Sequence, residues 1–257
     1  MTQQKSERKN NRKTTVIIAL LLALIAILSF GGYTLSKYVT SGGSTGKAQV
    51  AKWGYTMEID GSNLFGKNYK FDDKASKVTK DTTGLTVKAS GDYNVIAPGT
   101  TGSMTFKIGG QAEVKALIAM GITPEKDVTL KMKKADGQEI VYNPVKWTLK
   151  KNGKVITGLE NKTLIDVAGA FHDMTSNPVS SVKKPGEVLE ETTYELIWAW
   201  AFEGTDTFTG ITADELDTIL GRRANDKSYA SYGDWTIEDV CTEIDFDFDM
   251  QVTQLAW

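Results

Sequence analysis

The sequence predicts an all-β body, a sandwich or barrel that carries two short helices. Two observations lead there. Apolar residues recur at every second position in several short segments, and Gly, Asn-Gly or Asp-Gly punctuates the gaps between them. A third observation sets this body behind an N-terminal signal or transmembrane helix, since a basic head runs straight into an apolar stretch.

The head carries Lys5, Arg8, Lys9, Arg12 and Lys13, and the apolar stretch spans residues 16–30. Thr34 and Ser36 then stand three and one positions before a cut ahead of Lys37, where a signal peptidase requires small side chains. An uncleaved anchor is the alternative, because residues 15–35 form an uncharged run of 21 and a spanning helix needs about 20. Five Lys and Arg precede the run and Lys37 alone falls in the ten residues after it, so both readings place the C-terminus outside the cell, secreted or at its surface. The expected organisation is signal peptide 1–36, a flexible N-terminal segment 37–47 that is a candidate donor strand, and a β-sandwich domain 48–257. Residues 41–46, all Gly, Ser or Thr, make that segment a tether.

The first strand of the body is expected from Ala51, where Trp53, Tyr55, Met57 and Ile59 alternate with Lys52, Gly54, Thr56, Glu58 and Asp60. Asp60-Gly61 ends it as a turn. Further strands are expected at 85–89, around Met104, Phe106 and Ile108, and around Val114, Ala116, Ile118 and Met120, with Gly109-Gly110 between the last two. Asp136-Gly137 and Asn152-Gly153 suit the positive φ angles of tight hairpins. Residues 194–202 are apolar on both faces, which predicts a central strand covered on both sides. The last strand, 244–252, alternates Ile244, Phe246, Phe248 and Met250 with Asp245, Asp247 and Asp249, one face buried and one wet.

Two helices interrupt this pattern. Over 163–174, Leu164, Val167, Ala168 and Phe171 form one stripe, with Thr163 as N-cap. Over 212–220, Thr212 and Glu215 form a capping box, and Gly221 is expected to close the helix.

Composition narrows the chemistry. Cys241 is the one cysteine, so no intrachain disulfide forms, and a buried apolar role is expected for it. His172 is the one histidine, which excludes a multi-histidine zinc site, and no phosphate-binding glycine loop occurs; Gly42-Gly43-Ser44-Thr45-Gly46 has the Gly-x-Ser-x-Gly spacing but lies in the Gly/Ser/Thr tether and not at a strand-to-helix elbow. No enzyme is expected. The whole chain carries −2, five basic residues against Glu7 fall in 1–36, and the remainder is therefore near −6. Nucleic acid is not an expected partner. Two acidic groups are candidate calcium ligands: the ladder Glu243, Asp245, Asp247 and Asp249, and the loop and helix start with Asp206, Asp214 and Asp217. Alternate strand carboxylates lie roughly 6.5 to 7 Å apart, too far to share one ion unless a loop adds oxygens. No cofactor is therefore assigned, and calcium stays open. Trp198 and Trp200 sit in the most apolar strand, which places them in the core and not on a carbohydrate platform.

Several short motifs carry a resemblance. The signal ending Gly32-Tyr33-Thr34-Leu35-Ser36, the strand Val50-Ala51-Lys52-Trp53-Gly54, Ala97-Pro98-Gly99-Thr100 and Gly110-Gln111-Ala112-Glu113-Val114 resemble the TasA/camelysin-like proteins of Gram-positive bacteria. So do Trp198-Ala199-Trp200-Ala201-Phe202-Glu203 and the closing Phe248-Asp249-Met250-Gln251-Val252. The resemblance implies a jelly-roll-like β-sandwich, exported through a dedicated signal peptidase and assembled with copies of itself into fibres of a biofilm matrix. It also implies that the freed N-terminal segment of one subunit completes a sheet of the next. Here that segment contains Tyr38, Val39 and Val50; a donor at 48–55, or none, is the alternative. The membrane would then be met only through the N-terminal segment before cleavage. A membrane-tethered binding module is the competing function. A camelysin-type surface metallopeptidase lacks its zinc motif here.

Overall fold

The computed structural model describes residues 50–70, 77–79, 84–175, 182–202 and 207–255. Strands are numbered along the chain: β1 Trp53–Asn63, β2 Asn68–Lys70, β3 Lys77–Val78, β4 Val87–Lys88, β5 Thr101–Ala112 and β6 Ala116–Lys126. Then come β7 Thr129–Lys134, β8 Glu139–Tyr142, β9 Val145–Lys151, β10 Lys154–Val155, β11 Val182–Lys183 and β12 Val188–Trp200. The series ends with β13 Thr207–Phe208, β14 Ile211–Thr212, β15 Ser231–Tyr232, β16 Trp235–Cys241 and β17 Asp245–Gln254. Helix α1 is Leu164–Thr175 and α2 is Ala213–Asn225. The expected all-β class with two helices is what the structure shows.

One antiparallel sheet runs in the order β1-β5-β12-β9-β10. Its inner face carries Met104, Phe106, Tyr194, Leu196, Trp198, Trp147 and Leu149, all buried. A fully buried side chain of this size contributes about 1.5–3 kcal/mol, so this face holds the fold together. The outer face is wet, with Lys150 and Glu195 paired at 3.4 Å across neighbouring strands. The expectation of a doubly covered central strand is half corrected. β12 does lie third of five, but Ile197 is only half-buried and Ala199 exposed. Small and aliphatic residues there read as core in the sequence, whereas in the structure that side of the strand stays partly open to solvent.

The second layer is a long kinked ribbon. β6 pairs with β17 up to Lys126 opposite Asp245, and β7 pairs with β16 from Thr129 opposite Cys241, so two strand pairs continue one another across a corner at residues 127–128. β11 extends this layer beside β6, while β8 and β15 flank the β7–β16 end. Phe246 on β17 meets Trp147 at 5.6 Å between ring centroids, and Phe248 meets Phe106 at 4.4 Å. Two residues of β17 thus reach from β9 to β5, past β12, which makes β17 cross the first sheet steeply. These contacts give the body its sandwich-like two layers.

Helix α1 docks by the predicted stripe: Leu164, Val167, Ala168 and Phe171 are buried, and Phe171 is edge-on to Phe106 at 5.6 Å. Its start is capped twice. Thr163 Oγ1 accepts from the Asp166 amide at 3.3 Å, and the corner residue Asp127 accepts from the Leu164 amide at 3.1 Å. Burial pushes the Asp127 carboxyl above the usual range.

Three local expectations need correction. Gly109-Gly110 is not a turn but part of β5, where a Cβ on Gly110 would lie 2.1 Å from the Gly54 carbonyl oxygen. Glycine serves close strand approach there. Helix α2 has its capping box at Thr212 and Glu215 but passes through Gly221 to Asn225. Its extra turn is held by Tyr229, whose ring lies under Arg222 at 5.7 Å and whose carbonyl accepts from Arg223 at 3.3 Å. In the hairpins, Asn152 and Gly153 both take positive φ, while at the other turn Gly137 alone does.

Candidate assembly surface

β1 is the edge of the larger sheet and is 11 residues long. It pairs with β5 in unbroken register from Trp53 opposite Ala112 to Asp60 opposite Thr105, then shifts before Asn63, so the predicted end at Asp60-Gly61 is a bulge inside the strand. Its other side has no partner strand among the described residues. An edge of this length presents a row of backbone donors and acceptors to another chain.

The side chains make the edge unusual. Met57 and Ile59 stand opposite Ile108 and Phe106, hence on the inner face of the sheet. Ile108 and Phe106 are 2% and 0% exposed, whereas Met57 and Ile59 are 44% and 53% exposed, and Trp53 is 45% exposed. The alternation holds as expected, one set of side chains to each face, and the apolar set lies on the inner face yet stays about half exposed. Tyr55, half-buried, packs edge-on to Trp53 at 5.7 Å, and its hydroxyl finds no hydrogen-bond partner among the described residues. Burial, with Glu187 adding to it, raises the Tyr55 phenol above its ordinary value. On the outer face Glu58 pairs with Lys107 at 3.5 Å.

A second long edge is β17, 10 residues, which has β6 on one side only in its sheet. Asp245, Asp247 and Asp249 alternate along its exposed face, and Phe246, Phe248 and Met250 are half-buried on the other. Glu243 does not join that ladder; it binds Lys126 at 2.6 Å.

The other sequence candidates fall as follows. Thr34, Ser36, Lys37, Tyr38, Val39 and Asp206 lie outside the described residues, as does the signal or anchor helix. Val50 is 72% exposed and belongs to no strand. Asp214 is exposed, while Asp217 is half-buried and accepts a hydrogen bond from the Tyr142 hydroxyl at 2.6 Å. Burial raises the Asp217 carboxyl, and Tyr142 offsets part of that. The buried Trp200 indole N–H approaches the same carboxylate without hydrogen-bond geometry. Among the described residues no three His, Cys, Asp or Glu side chains gather as a metal site.

Cys241 is half-buried and not a core residue; its thiol donates to the Glu243 carbonyl at 3.4 Å. It lines an open hollow of about 400 Å³ with Lys126, Asp127 and Asn143 at the ribbon corner. His172 is exposed on the last turn of α1. Trp198 and Trp200 are core residues as expected, with the Trp198 indole donating to the Leu64 carbonyl at 2.7 Å.

Comparison with protein-family models, with curated proteins and with solved structures finds no match.

Proposed function

We propose that this chain is a secreted structural subunit, a jelly-roll-like sandwich that polymerises with copies of itself into extracellular fibres, and that it is not an enzyme. One observation carries the reading: the body offers two long strand edges, β1 and β17, in different sheets. A subunit with one adhesive edge stops at a pair, whereas one with two propagates. The uncovered Met57 and Ile59 add apolar area that a neighbour would remove from water.

In this reading a dedicated signal peptidase cuts before Lys37 and frees residues 37–50, with Tyr38, Val39 and Val50, to add as a strand to a neighbour's edge. Secretion and cleavage are the trigger, and the membrane is met only before the cut. The acidic balance leaves nucleic acid out. Calcium at Asp206, Asp214 and Asp217 is not required.

Electron microscopy of the exported chain, beside a version lacking 37–50, tests this. Fibres from the first and none from the second are expected. Monomers from both at high concentration would end the proposal. N-terminal sequencing of secreted protein tests the tethered alternative, because an anchored module releases no chain starting at Lys37.

A further inference from the structure

We infer that β1 pairs antiparallel with β1 of a second copy, about a two-fold axis at Thr56, merging two five-stranded sheets into one of ten. The pairing follows from the side-chain pattern of the strand. Trp53, Tyr55, Met57 and Ile59 share the inner face, so only registers that oppose odd-numbered to odd-numbered residues keep both apolar strips on one side of the merged sheet.

Among these registers the one centred on Thr56 matches every apolar residue. Trp53 meets Ile59 of the second copy, Tyr55 meets its Met57, and Thr56 meets its Thr56 on the outer face. Glu58 falls opposite Gly54, so no two carboxylates are opposed. Centring on Met57 leaves Trp53 against Gly61, centring on Glu58 opposes two carboxylates, and centring on Tyr55 carries Ile59 past the start of the strand. The regular register of residues 53–60 against β5 gives the straight stretch this contact uses. The outcome covers the 45%, 44% and 53% exposed Trp53, Met57 and Ile59 with their own kind.

A two-fold contact closes on itself. It does not depend on strand donation, and it leaves β17 as the edge for further growth. The two ideas therefore fail separately.

Disulfide trapping reads the register directly, because Cα atoms of opposed antiparallel residues lie about 4.5–5.5 Å apart, within disulfide reach. The exported chain is prepared with Cys241→Ser plus Thr56→Cys, and separately with Cys241→Ser plus Glu58→Cys. Thr56 is exposed and gives only a 3.4 Å bond to the Gly109 carbonyl, so its replacement leaves the fold intact, which circular dichroism verifies. Under a mild oxidant the Thr56→Cys chain is expected to double its mass on a non-reducing gel, and the Glu58→Cys chain to stay at single mass. Adding Met57→Lys to the first is expected to abolish the doubling. Equal trapping in both chains, or none in the Thr56→Cys chain, overturns the inference even if fibres form; trapping in the Thr56→Cys chain without fibres supports it and counts against the polymer.

Discussion

Ile59 and Phe106 are register partners on adjacent strands and point to the same side of the sheet, yet Phe106 is 0% exposed and Ile59 53%. Between them the cover ends. Phe106 lies under Phe248 and Phe171, at 4.4 and 5.6 Å. One strand further out the apolar face continues, with Met57 44% and Ile59 53% exposed.

That difference separates folding from assembly in mutants. Phe106→Ala is expected to cost about 3–5 kcal/mol of stability, as a buried aromatic does. Ile59→Lys is expected to move stability by no more than about 0.5 kcal/mol, as at other exposed sites, and to abolish fibres. Urea unfolding beside electron microscopy checks both; a large stability loss at Ile59 would mean that the edge is already covered.

The close approach at Gly102 gives a sharper stability prediction. A Cβ there would stand 2.0 Å from the Leu64 carbonyl oxygen and 2.7 Å from Trp198 Nε1. Gly102→Ala must displace the Trp198 to Leu64 hydrogen bond, and a loss of about 1–3 kcal/mol is expected from overpacking alone. Thermal unfolding measures it, and an unchanged midpoint would contradict the packing described.

Asp217 gives a pH signature. Burial raises its carboxyl in the folded protein, so the folded state holds that proton more tightly than the unfolded state does. Its contribution is fully present below the unfolded value, about 3.9, and is lost as pH rises through the raised folded value. Asp217→Asn keeps an acceptor for Tyr142 and removes the burial of charge. It is expected to be more stable than the parent at neutral pH, with the advantage fading in moderate acid. Unfolding midpoints from pH 3 to 7 check the sign; an advantage that grows toward acid would contradict it.

What the sequence shows of this fold is what short-range physics decides. Asn152-Gly153 forms its turn because two adjacent residues must take positive φ, and Thr212 with Glu215 caps α2 because their partners lie within one helical turn. The errors share a different cause. Residues 194–202 read as apolar on both faces, but that pattern does not tell whether a second layer reaches the outer face, where Ile197 is half-buried and Ala199 exposed. Gly221 ends a helix unless a residue beyond it grips the next turn, and Tyr229 does so. Gly109-Gly110 reads as a turn because its real reason, the approach of β1 and β12 on either side, is visible only in three dimensions. The candidate surface was half legible: its residues were in view as a strand, its exposure was not.

Backbone amide exchange on β1 tests the central claim most directly. In dispersed protein, amides of Trp53 to Asp60 that do not bond to β5 exchange fast, and in assembled protein they are predicted to slow with those of the buried strands. Unchanged exchange along β1 in fully assembled protein would contradict a role for this edge in joining copies.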